Sequence, residues 1–308
     1  MSPRIVSVFG ATGLQGSAVV RALLKDGTFT PRAITRDTQS EASKKLKAQG
    51  VEVVKADSLD KASLERALRG SEAVFAVTVP LLPLKADGEG PNELVQGKNM
   101  VDAAKEVGVK FFVWTGMPSI SKISNGKYTN CLHYDQKAEV EEYLKSSGLQ
   151  NATIYLGAFL ENYYMKFNAL KKTDTGFDAA IPQYKVGDRE AFTWVERDVP
   201  AAALALLKNY TDPSKNISGK SYPVVNACIS HSELAERTGR ALGVDVTFTT
   251  APPTGMAAMD EMFAAHAEYS GLYTATPVPN PDLVALGVKF GTVEEWLEAE
   301  VKPRFGQK

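Results

Sequence analysis

The chain contains 308 residues, of which 44% are hydrophobic and 23% charged, and its formal net charge is −1. This composition is typical of a globular protein, and the length suffices for one large domain or two modest ones. The near-neutral charge argues against direct binding of nucleic acid or of an anionic membrane, so a regulatory role would have to run through protein partners. Two cysteines are too few for a disulfide framework or a cysteine-based zinc site.

The sequence contains no segment that indicates a membrane span or an export route. No apolar run reaches the roughly 18 residues that a membrane helix needs, and the first predicted strand begins at Ile5, which leaves no space for a signal or transit peptide. The three histidines show no metal-ligand spacing. We therefore expect a soluble protein of the cytosol or, alternatively, the nucleus, without a metal. The sequence leaves its oligomeric state open.

Three glycines separate the first predicted strand from the first predicted helix. Gly10, Gly13 and Gly16 follow an apolar strand at intervals of three residues. Gly10 permits a tight turn, Gly13 lets the main chain approach a pyrophosphate, and Gly16 lets the helix pack closely on the strand. Unpaired N–H groups at the helix start attract an anion, so we predict a dinucleotide site; the alternative is an empty structural turn. The predicted site residues here are Gly10, Ala11, Thr12, Gly13, Leu14, Gln15 and Gly16.

Strands and helices alternate regularly over the first half of the chain. Strands are predicted at residues 5–9, 31–35, 51–54, 73–78, 111–114 and 152–156. Helices are predicted at residues 16–25, 41–48, 60–70, 92–107 and 133–145. This alternation predicts βαβ units, and therefore an α/β fold with a Rossmann-type, doubly wound parallel sheet in residues 1–156.

The pattern loosens after residue 156, where proline, glycine and tyrosine become frequent. Helices are predicted at residues 159–170, 198–207, 231–242 and 255–267, with strands at 221–225 and 244–249. Thr292 and Glu295 fit a capping box for the last helix. We assign residues 157–308 to a smaller α+β lobe, and we expect part of 157–225 to return to the first sheet.

Arg36 stands at the end of the second predicted strand, 20 residues after Gly16. A carboxylate at this place would bind the ribose hydroxyls of NAD, whereas a guanidinium offers a fork of donors to a 2′-phosphate. Arg36 therefore favours NADP(H). The alternative is a surface arginine paired with Asp37, a residue that we expect to point away from the cofactor.

Two further strand ends supply candidates for cofactor binding. Asp57 follows the third strand, and two roles are equally open for it: acceptor for an adenine amino group, or turn residue at a helix start. Ser58 is assigned to the same site. Thr78, Val79 and Pro80 follow the fourth strand and are expected near the nicotinamide half.

Lys137 is the candidate for chemistry, on the helix predicted at 133–145. Short-chain dehydrogenases commonly place a tyrosine four residues before such a lysine, and this tyrosine donates a proton to the substrate. His133 stands in that position and can act as an acid near neutral pH, while Tyr134 is rotated by about 100°. The alternative is a surface lysine that pairs with Glu141.

We make two further predictions, for a polar stretch after the fifth strand and for a group of aromatic residues. The polar stretch 116–130 follows the fifth strand, and we expect it to be the moving part beside the site. Four aromatic residues are candidates for an apolar substrate pocket, with core packing as the alternative. They are Tyr163, Tyr164, Phe192 and Trp194.

Several stretches together resemble the NmrA-like family of atypical short-chain dehydrogenases, in particular its HSCARG-type NADPH sensors. They are the glycine turn, Thr35-Arg36, the stretch from His133 to Tyr143, Phe159-Leu160-Glu161-Asn162 and Glu295-Trp296-Leu297-Glu298. The resemblance covers nearly the whole chain. It implies a Rossmann-type fold in which a His-x-x-x-Lys motif replaces Tyr-x-x-x-Lys.

The resemblance also implies a cofactor and a role. It implies NADP(H) bound by the glycine turn, Arg36, Asp57, residues 78–80, Lys137 and the residues Phe159, Leu160, Glu161 and Asn162. Members of this family are thought to sense NADP(H) and regulate partners with little dehydrogenase activity. The alternative is an NADPH-dependent reductase of a small carbonyl or related substrate, in which Lys137 and His133 are catalytic. Gln39, Ser40 and Val95 depart from the sensor pattern and weaken the predicted discrimination between cofactors.

Overall fold

A seven-stranded parallel sheet forms the centre of the fold in the computed structural model, which describes residues 3–79, 93–165, 170–273 and 275–306. Its strands are β1 (Ile5–Val8), β2 (Thr30–Thr35), β3 (Glu52–Lys55), β4 (Ser71–Ala76), β5 (Phe111–Gly116), β6 (Gln150–Leu156) and β11 (Lys220–Val224). Their spatial order is β11-β6-β5-β4-β1-β2-β3, and all neighbouring strands run parallel. This order confirms the predicted Rossmann-type, doubly wound sheet.

Helices cover both faces of this sheet. One face carries α1 (Leu14–Asp26), α2 (Glu41–Ala48) and α7 (Val195–Asn209), which share an apolar core with β1 and β6. The other face carries α3 (Lys61–Leu68), α4 (Glu93–Glu106) and α6 (Leu132–Ser146). A short helix, α5 (Ile120–Ile123), lies between β5 and α6. Both faces are covered, which explains why the inner strands β1, β4 and β5 are almost entirely buried.

Local signals place the helix ends close to the predicted positions. The side chains of Ser40 and Asp60 accept hydrogen bonds from main-chain N–H groups and cap α2 and α3. Gly27 takes a left-handed conformation with φ +73° and ends α1. These caps satisfy orphan backbone groups, so the helix limits follow from single residues.

Two small sheets and further helices form the second half of the chain. One sheet has the order β12 (Ala227–Ser230), β10 (Arg189–Thr193) and β7 (Ala158–Phe159); the other has β13 (Asp245–Ala251), β9 (Gly176–Pro182) and β8 (Leu170–Lys172). The helices are α8 (His231–Leu242), α9 (Ala257–Glu268), α10 (Pro281–Ala285), α11 (Val293–Trp296), which continues as a π-helical segment Leu297–Val301, and α12 (Lys302–Phe305). The predicted capping box of Thr292 and Glu295 is present.

The helix predicted at 159–170 is wrong. The described part of this segment consists of β7, a single 3₁₀ turn Leu160–Tyr163 and the start of β8. Phe159 pairs with Thr193 of β10, and Leu160 is buried among residues of the second half. Strand pairing with a distant part of the chain therefore replaces the local helical preference.

The topology brings one group of strand ends together. β1 lies between β2 and β4, so the connections after β1 and β4 leave the sheet in opposite directions. Such a switch point opens a crevice at the carboxyl ends of parallel strands. No helix within the described ranges is long and apolar enough to cross a membrane.

Candidate functional site

The glycine turn has the geometry that its sequence predicts. Gly10 has φ +62°, and a Cβ atom on it would lie 2.7 Å from Cγ1 of Val77. A Cβ atom on Gly16 would overlap the carbonyl groups of Phe9 and Gly10, so α1 packs against β1 only with glycine there. Gly13 is exposed, and its nearest neighbour would be the oxygen of Gly10 at 3.4 Å. Its main chain is open to an approaching ligand.

The first turn of α1 leaves several donors free. Gly13 occupies the N-cap position without a side-chain cap, and the first backbone bond into the helix runs from the Ser17 N–H to the Gly13 oxygen at 2.9 Å. The N–H groups of residues 14–16 have no backbone acceptor in the part of the chain that the structure describes. These donors and the helix dipole fit a phosphate. The buried Oε1 atom of Gln15 likewise has no described partner.

A cleft of ≈ 400 Å³ extends from this turn across the ends of β1 to β4. It has the size of a small-molecule site. Seven of the predicted cofactor residues line it: Gly10, Thr12, Gly13, Arg36, Asp57, Ser58 and Val79. The sequence predictions missed other lining residues, namely Phe9, Ile34, Thr35, Asp37, Ser40, Ala56, Leu59, Val77, Gln96 and Met100.

Arg36 faces this cleft and also a smaller pocket that adjoins it, lined in part by Lys55 and Arg66. The alternative pairing of Arg36 with Asp37 is absent from the described residues, because Oδ1 of Asp37 accepts the Gln39 N–H at 2.8 Å. Asp37 itself also lines the cleft, and the expectation that it points away from the cofactor stays a prediction.

Asp57 and Ser58 form the opposite edge of the cleft. Oδ1 of Asp57 accepts the Leu59 N–H at 3.0 Å, which is the predicted role of a turn residue. The Ser58 hydroxyl donates to Oε1 of Gln96 at 3.2 Å and joins this edge to α4. Asp57 also lines the cleft, so its second role at an adenine ring stays a prediction.

Lys137 lies in a buried polar cluster at the end of β4. Its ammonium donates to Oγ1 of Thr78 at 2.6 Å and contacts Oε1 of Glu93 at 2.5 Å. Thr78 in turn donates to the same oxygen of Glu93 at 2.7 Å. The Lys137 side chain is 12% exposed and lies 5.6 Å from the centre of the Trp114 ring. Neither Lys137 nor Thr78 lines the cleft, so their roles in cofactor binding stay predictions.

The alternative pairing of Lys137 with Glu141 was wrong. Oε1 of Glu141 instead contacts the ammonium of Lys145 at 2.6 Å, and Oε2 accepts from the Tyr155 hydroxyl at 2.5 Å. Lys137, Glu141 and Lys145 follow one another at intervals of four residues on α6, so the two lysines share one side of the helix but contact different carboxylates. Helical spacing permits the pair with Glu141, but the buried carboxylate of Glu93 is available to Lys137 only through the tertiary fold.

His133 and Tyr134 lie in different surroundings, and the role of His133 as an acid stays a prediction. Burial lowers the pKa of His133 to about 4, so its imidazole is uncharged at neutral pH. Its Nδ1 atom is buried without a described hydrogen-bond partner. The Tyr134 hydroxyl is hydrogen-bonded to Nε2 of His266 at 2.8 Å, and Nδ1 of His266 lies 2.9 Å from Glu190. Tyr134 is thus directed away from Lys137, as its position on the helix predicts.

The segment 159–162 is not part of the cleft lining. Leu160 and Glu161 are fully buried, Phe159 is half-buried in the core, and Asn162 is exposed. Oε1 of Glu161 accepts the Glu196 N–H at 2.9 Å at the start of α7, and burial raises the pKa of Glu161 to about 6. Glu161 therefore stabilises a helix end here. Of the other predicted residues, Ala11 is buried, Leu14 packs on the core, and Pro80 lies outside the described residues.

The polar stretch 116–130 is attached at several points. Ser119 donates to Asp135 at 2.7 Å, the Tyr128 hydroxyl donates to Glu268 at 2.7 Å, and the Asn130 N–H donates to Glu261 at 2.7 Å. Two of these acceptors belong to α9, so the stretch joins the Rossmann-type sheet to the second half of the chain. Any movement of this stretch has to break those bonds.

The four aromatic candidates for a substrate pocket belong to the core of the second half. Tyr163, Phe192 and Trp194 are buried, and Tyr164 stacks on Trp296 with ring centres 6.4 Å apart. Core packing, the alternative, is therefore their role. Both cysteines are free thiols, and the described residues contain no cluster of three metal-binding side chains.

The strand order, the glycine turn and the cleft define a Rossmann-type α/β protein with free N–H groups at the start of α1. The chain belongs to the NmrA-like family, whose family model matches residues 2–297. This result confirms the family resemblance in the sequence, but not the HSCARG-type assignment within it.

Relatives and solved structures extend this comparison. The oxidoreductase notA of an Aspergillus species is 39% identical over 170 residues, which are 53% of this chain and 50% of notA, so the match spans about half of that relative's length. The structure of NmrA, a negative transcriptional regulator, in complex with NADP has a TM-score of 0.78 at 19% identity and covers 99% of this chain and 97% of NmrA. NmrA is also known in complex with NAD. An NADPH-dependent quinone oxidoreductase of Escherichia coli, complexed with NADPH, has a TM-score of 0.70 at 22% identity and covers 95% of this chain and 98% of its own.

Proposed function

We propose that the protein binds NADP(H) in the cleft at the carboxyl ends of β1 to β4. The free N–H groups at the start of α1 would hold the pyrophosphate, Arg36 the 2′-phosphate, Asp57 the adenine ring and Lys137 the nicotinamide ribose. Family membership supports this proposal, as do the NADP and NADPH complexes of NmrA and the quinone oxidoreductase. Bound NADPH would supply a transferable hydride, while the chain's own residues would bind and orient it.

We further propose that the protein is a regulator of the HSCARG type, which senses NADP(H) and acts through a protein partner. The charge of His133 and the hydrogen bond of Tyr134 support this proposal. His133 is uncharged at neutral pH, and the hydroxyl of Tyr134 is bonded to His266 instead of facing Lys137. A carbonyl reductase needs a proton donor close to the substrate oxygen. The relative NmrA is itself described as a transcriptional regulator.

A second candidate function is an NADPH-dependent reductase of a small carbonyl or related substrate. The names of notA and of the quinone oxidoreductase favour it. In this case Lys137 would hold the ribose or polarise a carbonyl through a water molecule, and His133 would donate from its neutral N–H group.

Binding and turnover measured on the same preparation separate the two functions. We expect NADPH and NADP to bind more tightly than NADH, and we expect no oxidation of NADPH in the presence of aldehydes, ketones or quinones. Lys137→Ala is the control for turnover. Robust turnover that this variant loses would replace the regulator with the reductase, and a wild-type protein that binds none of the three nucleotides would contradict both.

A further inference from the structure

Glu93, the first residue of α4, has one carboxylate oxygen in use and one without a described partner. Oε1 contacts the ammonium of Lys137 and accepts from Thr78. Oε2 is buried and has no hydrogen-bond partner among the residues described. The side chain is only 3% exposed. A buried carboxylate oxygen without a donor is unfavourable, so this oxygen is a candidate acceptor for a ligand that reaches it.

The position of Glu93 on α4 shows which part of a ligand this is. Glu93, Gln96 and Met100 lie at i, i+3 and i+7 and therefore share one face of the helix. Gln96 and Met100 line the cleft, and Gln96 bonds Ser58 at the adenine edge. The side-chain NH₂ group of Gln96 donates to the main-chain oxygen of Val79 at 3.1 Å. One turn closer to the start of α4, Glu93 contacts the ammonium of Lys137. Glu93 itself does not line the cleft; it lies one turn of α4 from Gln96, beside Lys137, where the proposed binding mode places the nicotinamide ribose.

The hydrogen bonds of the Lys137 ammonium bear on which of the two side chains, Lys137 or Glu93, would bind a ligand hydroxyl. Lys137 has three N–H donors, and the acceptors within reach are Oγ1 of Thr78, the main-chain oxygen of Thr78 at 3.3 Å and Oε1 of Glu93. The ammonium therefore already has three acceptors in the protein, and it can bind a ribose oxygen only by exchanging one of them. A sugar hydroxyl that arrives here finds a free acceptor, Oε2 of Glu93, more readily than a free donor.

We propose that Oε2 of Glu93 accepts a hydrogen bond from a hydroxyl of the nicotinamide ribose, so that Glu93 is a cofactor-binding residue as well as the partner of Lys137. This proposal rests on the proposed binding of NADP(H). It assigns to a carboxylate a contact that the sequence motifs place on Lys137 alone.

Glu93→Gln tests the proposal with two ligands, NADPH and adenosine 2′,5′-bisphosphate, which lacks the nicotinamide ribose. The amide oxygen will face Lys137, so its NH₂ group occupies the place of Oε2 and cannot accept. We expect the Kd of NADPH to rise about tenfold and the Kd of the bisphosphate to stay within about twofold. A merely structural role of Glu93 would affect both ligands alike, and this outcome, or no change for either, overturns the proposal.

Two further variants serve as controls for this experiment. Glu141→Gln removes another buried carboxylate that pairs with a lysine of α6, and it should change neither Kd. If Glu93→Gln does not fold, Glu93→Gln with Lys137→Met removes both charges together. This double variant should bind NADPH more weakly than Lys137→Met alone; equal affinities would overturn the direct contact. A wild-type protein that binds neither ligand refutes the proposed function itself, whereas a failure confined to Glu93 leaves that function intact.

Discussion

Single charged side chains determine whether the cleft offers a free cation to a phosphate group. Arg36, Lys55 and Arg66 all line the pocket that adjoins the cleft, and none of them forms an ion pair within the described ranges. Asp57 and Asp60 also line this pocket, but their oxygens accept main-chain N–H groups. The guanidinium of Arg36 is therefore available to a phosphate instead of being neutralised by a neighbour.

Replacing Arg36 tests this availability. We expect Arg36→Ala to raise the Kd of NADPH by about 10- to 100-fold, because a charge-assisted bond to phosphate contributes roughly 1.5–3 kcal/mol. The Kd of NADH, which lacks the 2′-phosphate, should change little. Calorimetric titration of both cofactors measures the difference. Lys44→Ala, which removes a cation paired with Glu41 on α2, is the control; a wild-type protein with equal affinity for both cofactors would contradict this role of Arg36.

At the scale of elements, the junction of β1 and α1 carries the proposed pyrophosphate site. Gly16 is required by the close approach of helix to strand, while Gly13 is open to the cleft and has φ −95°, which other residues adopt easily. The two glycines thus serve different purposes although their sequence context is alike. One belongs to the packing of the fold, and the other belongs to the site.

A matched pair of substitutions separates these purposes. Gly16→Ala should lower the free energy of unfolding by roughly 1–3 kcal/mol, because its Cβ overlaps the carbonyl of Gly10. Gly13→Ala should change it by less than about 0.5 kcal/mol, yet weaken NADPH binding by obstructing the pyrophosphate. Urea denaturation and cofactor titration of both variants provide the check. Equal losses of stability in the two variants would show that the turn is structural only.

Also at the scale of elements, α6 is tied to α9 by buried polar bonds. Tyr134 of α6 bonds His266 of α9, and His266 bonds Glu190 of β10. The neighbouring stretch 116–130 bonds the same helix α9 through Tyr128 and Asn130. The helix that carries Lys137 is therefore hydrogen-bonded to the second half of the chain, so that half is in direct contact with an element of the candidate site.

For the whole molecule, buried titratable groups make stability depend on pH in two directions. Burial lowers the pKa of His231 to about 4, below its ordinary value near 6.5, so the unfolded chain takes up this proton first and stability falls as pH falls from 6.5 to 4. Burial raises the pKa of Glu161 to about 6 and that of Asp198 to about 7. These two carboxyls act in the opposite direction, since the folded protein binds their protons first.

A variant of His231 isolates one of these contributions. Its ring lies among Tyr184, Phe192 and Phe248, and its Nδ1 atom has no described partner. His231→Phe keeps an aromatic ring in this place, so we expect the variant to lose about 2–3 kcal/mol less than the wild type on acidification from pH 7 to 4.5. Urea denaturation at both pH values measures this difference. Parallel pH profiles of the two proteins would contradict the assignment to His231.

The sequence alone determined the features that depend on neighbours along the chain. Alternating apolar runs and helix caps specified the strands and helices up to residue 156, and Gly10, Gly13 and Arg36 located one side of the cleft. The order of these elements was enough to predict the Rossmann-type sheet, because parallel strands with short helical connections permit few topologies. The domain division at residue 156 stays a prediction.

Tertiary structure alone decided the partners that lie far apart in sequence. Glu93 and Lys137 are 44 positions apart and meet only because α4 and α6 pack side by side on the sheet. The same holds for Glu161, which caps α7 through Glu196, and for Tyr134, which finds His266 on α9. Local periodicity determines which face of an element is apolar. A buried polar side chain, however, needs a hydrogen-bond partner, and tertiary packing determines which donor or acceptor lies within its reach.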